Sequence, residues 1–96
     1  MSEPVIFEFT LYVAGETQNS AQATRNLARL CQSALPDQHA IEVVDVLKDP
    51  QRALADGVFM TPTLIKRSPL PLRRIVGTLS QTEIVMQALG LHALAT

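Results

Sequence analysis

The sequence is short of thiols and of large aromatic rings. It has one cysteine, Cys31, no tryptophan, one tyrosine and three phenylalanines. A single thiol cannot close an intramolecular disulfide, which excludes a secreted framework held together by cystines. Long apolar runs are missing too: no uncharged stretch approaches the ~20 residues that a membrane-spanning helix needs. The opening Met1-Ser2-Glu3-Pro4 lacks the basic region of a signal peptide, so the expected location is cytoplasmic. No charge of one sign dominates. The net charge is −1 and the pI is about 6.0, which argues against whole-molecule attraction to nucleic acid or anionic lipid. Hydrophobic residues are 47% and charged residues 18% of 96, too apolar a balance for a disordered chain and too short a chain for a second core. Residues 1–96 therefore read as one domain. A chain of this size buries roughly 60–65% of its unfolded surface, which leaves modest stability unless it associates.

The charge that is present is uneven. Residues 1–48 carry three basic and six acidic side chains, and residues 49–96 carry five basic and three acidic. Lys66, Arg67, Arg73 and Arg74, half of all the basic side chains, fall within nine positions.

Periodicity gives the elements. Residues 5–13, VIFEFTLYV, read as a central strand buried on both faces. Ala14-Gly15 ends it, and the polar ETQNS that follows offers Asn19 or Ser20 as a helix N-cap. Ala23, Leu27, Leu30, Cys31 and Ala34 then form one helical stripe, stopped by Leu35-Pro36-Asp37. Residues 40–47, AIEVVDVL, predict a second buried strand, parallel to the first across a right-handed crossover. Asp49-Pro50 predicts a short helix over 51–56, with Gly57 just past its end. A strand over 58–67 is entered through Thr61-Pro62, and after the stiff turn Ser68-Pro69-Leu70-Pro71 another strand runs from Leu72 to Val76. Ser80-Gln81-Thr82-Glu83 spells a capping box, with Leu79 and Ile84 in staple positions, and Ile84, Val85, Ala88, Leu89 and His92 continue the last helical face. The order βαβαββα predicts a thioredoxin-like fold with a mixed four-stranded sheet, and Thr61-Pro62 falls where that fold carries a cis-proline.

Little reactive chemistry is written into this order. The loop that holds Cys-x-x-Cys in a thioredoxin-type enzyme, residues 15–20, has no cysteine. Cys31 lies about three turns further down the helix on its apolar stripe and reads as a small core residue. Cys31, His39 and His92 have no zinc-site spacing, and no phosphate loop, nucleophile elbow or dinucleotide fingerprint occurs. No catalytic residue, metal or cofactor is expected. Asp45 reads as a capping or surface side chain. The basic cluster of Lys66, Arg67, Arg73 and Arg74 reads either as charges guarding a sheet edge or as a contact for an acidic protein patch. It lacks the interleaved aromatics of a nucleic-acid surface. Recognition thus becomes the leading class of function.

Several blocks resemble the KaiB clock-protein family: Leu11-Tyr12-Val13-Ala14-Gly15, Asn19-Ser20, Val44-Asp45-Val46-Leu47-Lys48-Asp49-Pro50, Thr61-Pro62-Thr63-Leu64, and the run from Pro71 to Ser80. They span residues 9–91 in one register. The resemblance implies a non-enzymatic regulator that binds the ring of a KaiC-type ATPase and kinase and modulates its phosphorylation cycle in circadian or stress timing. It also implies fold switching, between a thioredoxin-like monomer and a ground state of order βαββααβ that assembles as dimers or tetramers. Other clock proteins are implied partners. The residues expected at the partner contact are Lys48, Asp49, Pro50, Gln51, Phe59, Thr61 and Pro62. Pro62, Pro69, Pro71, Ala88 and Gly90 are the candidates for setting the switch. Glu42 and Gly57 stand where family lysines are expected, and Ala88 and Gly90 replace a family Gly and Asp. Alanine favours helix over glycine by about 1 kcal/mol, which tilts residues 80–90 toward the thioredoxin-like order. Two alternatives are a KaiB-like sensor or input module for a histidine kinase, and a thioredoxin-type redox protein.

Overall fold

The apolar run at the start of the chain folds as strand β1, Phe7–Val13. Its β-branched and aromatic side chains suit a pleated backbone covered on both sides. Helix α1 follows over Gln18–Ala34, strand β2 over His39–Asp45, helix α2 over Pro50–Ala55, strand β3 over Thr63–Ser68, strand β4 over Arg73–Val76 and helix α3 over Thr82–Ala88. The computed structural model describes residues 5–91; the opening four residues and His92 lie outside the described residues.

The strands form one sheet in the order β2-β1-β3-β4. β2 is parallel to β1, with Phe7 opposite His39 and Val13 opposite Asp45. β3 is antiparallel to β1, and β4 is antiparallel to β3. This is the thioredoxin-like βαβαββα order, not the alternative βαββααβ. The Thr61–Pro62 bond is cis, and so are Ser68–Pro69 and Leu70–Pro71.

Alternation along β1 supplies two cores. Phe9, Leu11 and Val13 face α1 and α3, where they join Leu27, Leu30, Cys31, Leu64, Val85 and Leu89. Tyr12 faces α2 and packs with Val44, Ala53, Val58 and Ile65. Each such aliphatic side chain contributes roughly 1.5–3 kcal/mol when fully buried. A polar knot closes the smaller core. The Asp56 carboxylate accepts from the Tyr12 hydroxyl and from Arg67 Nη2 (2.5 Å), and Arg67 Nε donates to Thr10 Oγ1 at 2.8 Å. Arg67, then Tyr12, hold the Asp56 carboxyl below the usual carboxylate range.

Four local expectations are corrected. The N-cap of α1 is Thr17, whose hydroxyl accepts from the Ser20 amide; Ser20 is buried and its own hydroxyl accepts from Ala14 N at 3.1 Å, tying the helix to the end of β1. β2 is an edge strand in which Val44 alone is fully buried, because nothing pairs with its outer side and the six-residue α2 covers little of it. The third strand starts at Thr63 and not at Val58, because the Val58 amide is used to close α2 on Ala53 O at 2.8 Å. Finally, the capping box is not formed: Gln81 occupies the N-cap of α3 with no side-chain bond, and Leu79 is held at φ 63° with its side chain in the core. Ile84 is 61% exposed, so the staple is absent as well. Helix α3 stops at Ala88, so the helical face expected to continue through Leu89 ends short of it. Gly90 takes φ 78°, its amide bonds Gln87 O, and Leu91 N bonds Met86 O, the paired closure in which a left-handed glycine satisfies the last carbonyls.

Two outcomes follow. Thr17→Ala should cost about 1 kcal/mol in urea unfolding, whereas Ser80→Ala should stay within about 0.5 kcal/mol, since the first cap is made and the second is not. Asp56 titrates lower when folded than when unfolded, so its stabilisation is whole above about pH 5 and is lost as pH falls through the folded value. The urea midpoint of the parent should therefore drop between about pH 5 and 3 more steeply than that of Asp56→Asn.

Candidate functional site

The C-terminal ends of β1, β2 and β4 and the start of β3 lie at one end of the sheet, since Tyr12 pairs with both Val44 and Thr63, and Thr63 pairs with Val76. Four segments meet there. The first is the Ala14–Thr17 loop, the place of the reactive thiols in a thioredoxin-type enzyme. The second is the Val46–Asp49 turn. Asp45 joins these two: its Oδ1 accepts from Gly15 N (3.1 Å) and Leu47 N (2.9 Å), and those two amides hold its carboxyl below the usual range. Gly15 is required here. Its φ is 58°, and a Cβ would meet Leu47 Cδ1 at 3.4 Å. The third segment is the Val58–Pro62 loop, anchored where Gly77 N donates to Pro62 O at 2.9 Å. The fourth is the Gly77–Gln81 connection. It borders a shallow pocket of ≈ 180 Å³ lined by Val76, Leu79 and Ile84 among others.

The residues expected at a partner contact all occupy this end. Asp49 caps α2 by accepting from Arg52 N (3.4 Å), and Pro50 is the first helical residue. Lys48, Pro50 and Gln51 are exposed, Asp49 and Thr61 are half-buried, and Pro62 is buried beneath them. Phe59 is 86% exposed and Met60 64%, a large apolar lip with no cover. Leu47 at 72% and Leu54 at 67% are exposed as well. Met60, Leu47 and Leu54 were not singled out by sequence reasoning. The available signal was apolar side chains in a turn, in a loop and off the stripe of a short helix.

Other predicted residues are dispersed. The basic cluster does not form a patch. Lys66 is 4% exposed on the α1/α3 face, where its ammonium donates to Leu89 O (3.4 Å) and lies 5.7 Å from the Phe7 ring centroid. Burial pushes its pKa down, and Arg73 across the ladder adds to this. Arg67 and Arg74 turn to the other face and bond Asp56 and Gly57, which leaves Arg73 exposed to solvent. Adjacent strand positions point to opposite faces, so contiguity in sequence separates these charges in space. Pro69 and Pro71 lie at the hairpin tip, Ala88 in the last turn of α3 and Gly90 just past it. Glu42 makes a two-pronged pair with Arg52 (2.6 and 2.8 Å) on the exposed side of β2 and α2.

The lone thiol is not placed for chemistry at the surface. Cys31 is fully buried in the α1 stripe, and burial pushes its thiol up to about 11. At that value almost no thiolate exists near neutral pH, and the sulfur has no route to a substrate. Among the described residues no group of three His, Cys, Asp or Glu is placed to hold a metal ion, and no helix is long and apolar enough to cross a membrane.

Comparison with known proteins agrees with this geometry. The KaiB domain model matches residues 10–91. The circadian clock protein KaiB3 of Synechocystis sp. is 47% identical over 81 residues, covering 84% of this chain and 79% of that protein. The circadian clock oscillator protein KaiB of Synechococcus elongatus is 44% identical over 91 residues, covering 95% and 89%. Among solved structures, the N-terminal domain of Synechococcus elongatus SasA superposes with a TM-score of 0.77 at 15% identity over 100% of this chain and 90% of that one. Mitochondrial thioredoxin 3 of Saccharomyces cerevisiae gives 0.71 at 18% identity over 91% and 80%. At such identities these two neighbours establish the thioredoxin-like fold alone. A family pattern that runs from within β1 to the residue closing α3 makes this chain a member of the KaiB family.

Proposed function

We propose that this chain is a non-enzymatic clock-type regulator that docks, through the Phe59–Met60 end of the sheet, on the ring of a KaiC-type ATPase and kinase and modulates its phosphorylation cycle. The observation that carries this reading is the exposed apolar lip beside a loop that holds no cysteine. Exposed aromatic side chains of this kind dominate interface energetics once a partner covers them. Lys48, Gln51 and Thr61 supply polar contacts around the lip, and Asp49, Pro50 and Pro62 hold the backbone that presents it. The relatives' names, circadian clock protein KaiB3 and circadian clock oscillator protein KaiB, support a role in timing.

Fold switching is part of the same proposal. Pro62, Pro69 and Pro71 border the segments that would exchange, and the alternative βαββααβ order would assemble as dimers or tetramers. Ala88 and the Gly90 closure hold α3 in the order described here. The thioredoxin-like order of the described residues also favours a second reading, a sensor or input module for a histidine kinase that keeps this order without switching.

Phe59→Ala should weaken binding to a KaiC-type ring, loaded with ATP and measured by fluorescence anisotropy, by about 2 kcal/mol or roughly 30-fold. Leu70→Ala at the opposite end should leave it unchanged. Absence of any ring complex for the parent protein would overturn the docking reading. Ala88→Gly should weaken α3 by about 1 kcal/mol and raise the population of the alternative order. Chemical shifts showing strand across residues 82–89 in the parent would show that Ala88 does not hold the helix.

A further inference from the structure

Phe59 and Met60 are largely exposed, yet the backbone on each side of them is pinned. On the far side the Thr63 hydroxyl donates to Met60 O (2.5 Å) and Gly77 N bonds Pro62 O. On the near side the chain leaves α2 through Asp56 and Gly57. Gly57 takes φ 67°, its amide bonds Leu54 O (3.0 Å), and Val58 N bonds Ala53 O. A helix of six residues has no independent stability and needs its position supplied from outside.

Three strands supply it. From β1, the buried Tyr12 hydroxyl donates to the Asp56 carboxylate and to Arg52 O (3.3 Å). From β3, Arg67 Nη2 donates to the same carboxylate oxygen. From β4, the Arg74 guanidinium forks over the two carbonyls that end the helix, donating to Asp56 O and to Gly57 O (3.0 Å). A cation at a helix C-terminus is favoured both by the orphan carbonyls and by the helix dipole. The register makes Arg67 available for this. The ladder shifts between Glu8 and Phe9, so Ser68 pairs with Glu8 and Lys66 with Phe9, leaving Arg67 unpaired and free to reach Thr10 and Asp56.

We propose that Tyr12, Arg67 and Arg74 are positioning residues which, acting on Asp56 and Gly57, fix the Phe59–Met60 lip before a partner arrives and thereby set its docking affinity. The inference rests on the docking reading above. Two exposed apolar side chains on a loose loop would lose conformational freedom on association; held between two anchored points, they have already lost most of it. The gain therefore shows as slower dissociation of the complex.

The test compares Arg74→Gln and Tyr12→Phe with the parent. In the free protein, both variants should speed amide exchange at Gly57 and Val58 about tenfold and lower the backbone order parameters of Phe59 and Met60. Exchange at Leu11 and Leu64 should quicken far less than at Gly57 and Val58, which separates a local clamp from general destabilisation. In complex with the ATP-loaded ring, dissociation should quicken by about the same factor with little change in association rate. Arg74→Lys, which can reach one carbonyl but not fork over two, should fall between. Unaltered exchange and order at 57–60 in both variants would overturn the clamp. A lip that loosens while ring affinity stays at the parent value would overturn its role in docking. If the parent binds no ring, the docking reading fails, and the clamp stands or falls on the free-protein measurements.

Discussion

Strand β1 must be covered on both faces and paired on both edges, and the rest of the molecule follows from that requirement. Its neighbours are β2 on one side and β3 on the other, so its backbone groups are used in two ladders. Its side chains alternate between a large core under α1 and α3 and a small one under α2. A slip of one residue would exchange these sets and drive Tyr12 into the wrong layer. The Tyr12 hydroxyl needs a partner once buried, and Asp56 with Arg67 provides it. The small core is thus closed by hydrogen bonds where the large one is closed by aliphatic contact.

That division shapes one end of the sheet. A thioredoxin-like scaffold presents the end of β1, the first helix and a cis-proline around one surface. In a redox enzyme a low-pKa thiol occupies it. Here the loop is Ala14–Thr17, the one sulfhydryl is Cys31, buried with its pKa raised, and Leu47, Phe59 and Met60 are exposed at this end. Exposed apolar groups of this kind are the usual material of interaction surfaces.

The legible parts were those governed by one local rule. The stripe Ala23, Leu27, Leu30, Cys31 is buried as its spacing requires, and Asp49-Pro50 starts a helix that Gly57 ends. Failures arose where two rules competed. Ser80-x-x-Glu83 spells a capping box, but burying Leu79 holds the backbone at φ 63° and the helix begins without that cap. Four cations within nine residues suggested a patch, but strand alternation sent Lys66 to one face and Arg67 to the other. Residues 40–47 are apolar enough for a central strand, yet β2 stands at the edge, leaving Val43 49% exposed.

From the sequence alone came the element order, the absence of a reactive thiol pair, the cis-proline position and the family, because each is carried by residue type or by spacing along the chain. Only the tertiary structure decided which side chains meet. Tyr12, Asp56, Arg67 and Arg74 are up to 62 residues apart (12 to 74) and form one network because sheet register and a ladder shift bring them together. No local propensity encodes such a contact. It is settled by the packing of one buried strand against every other element.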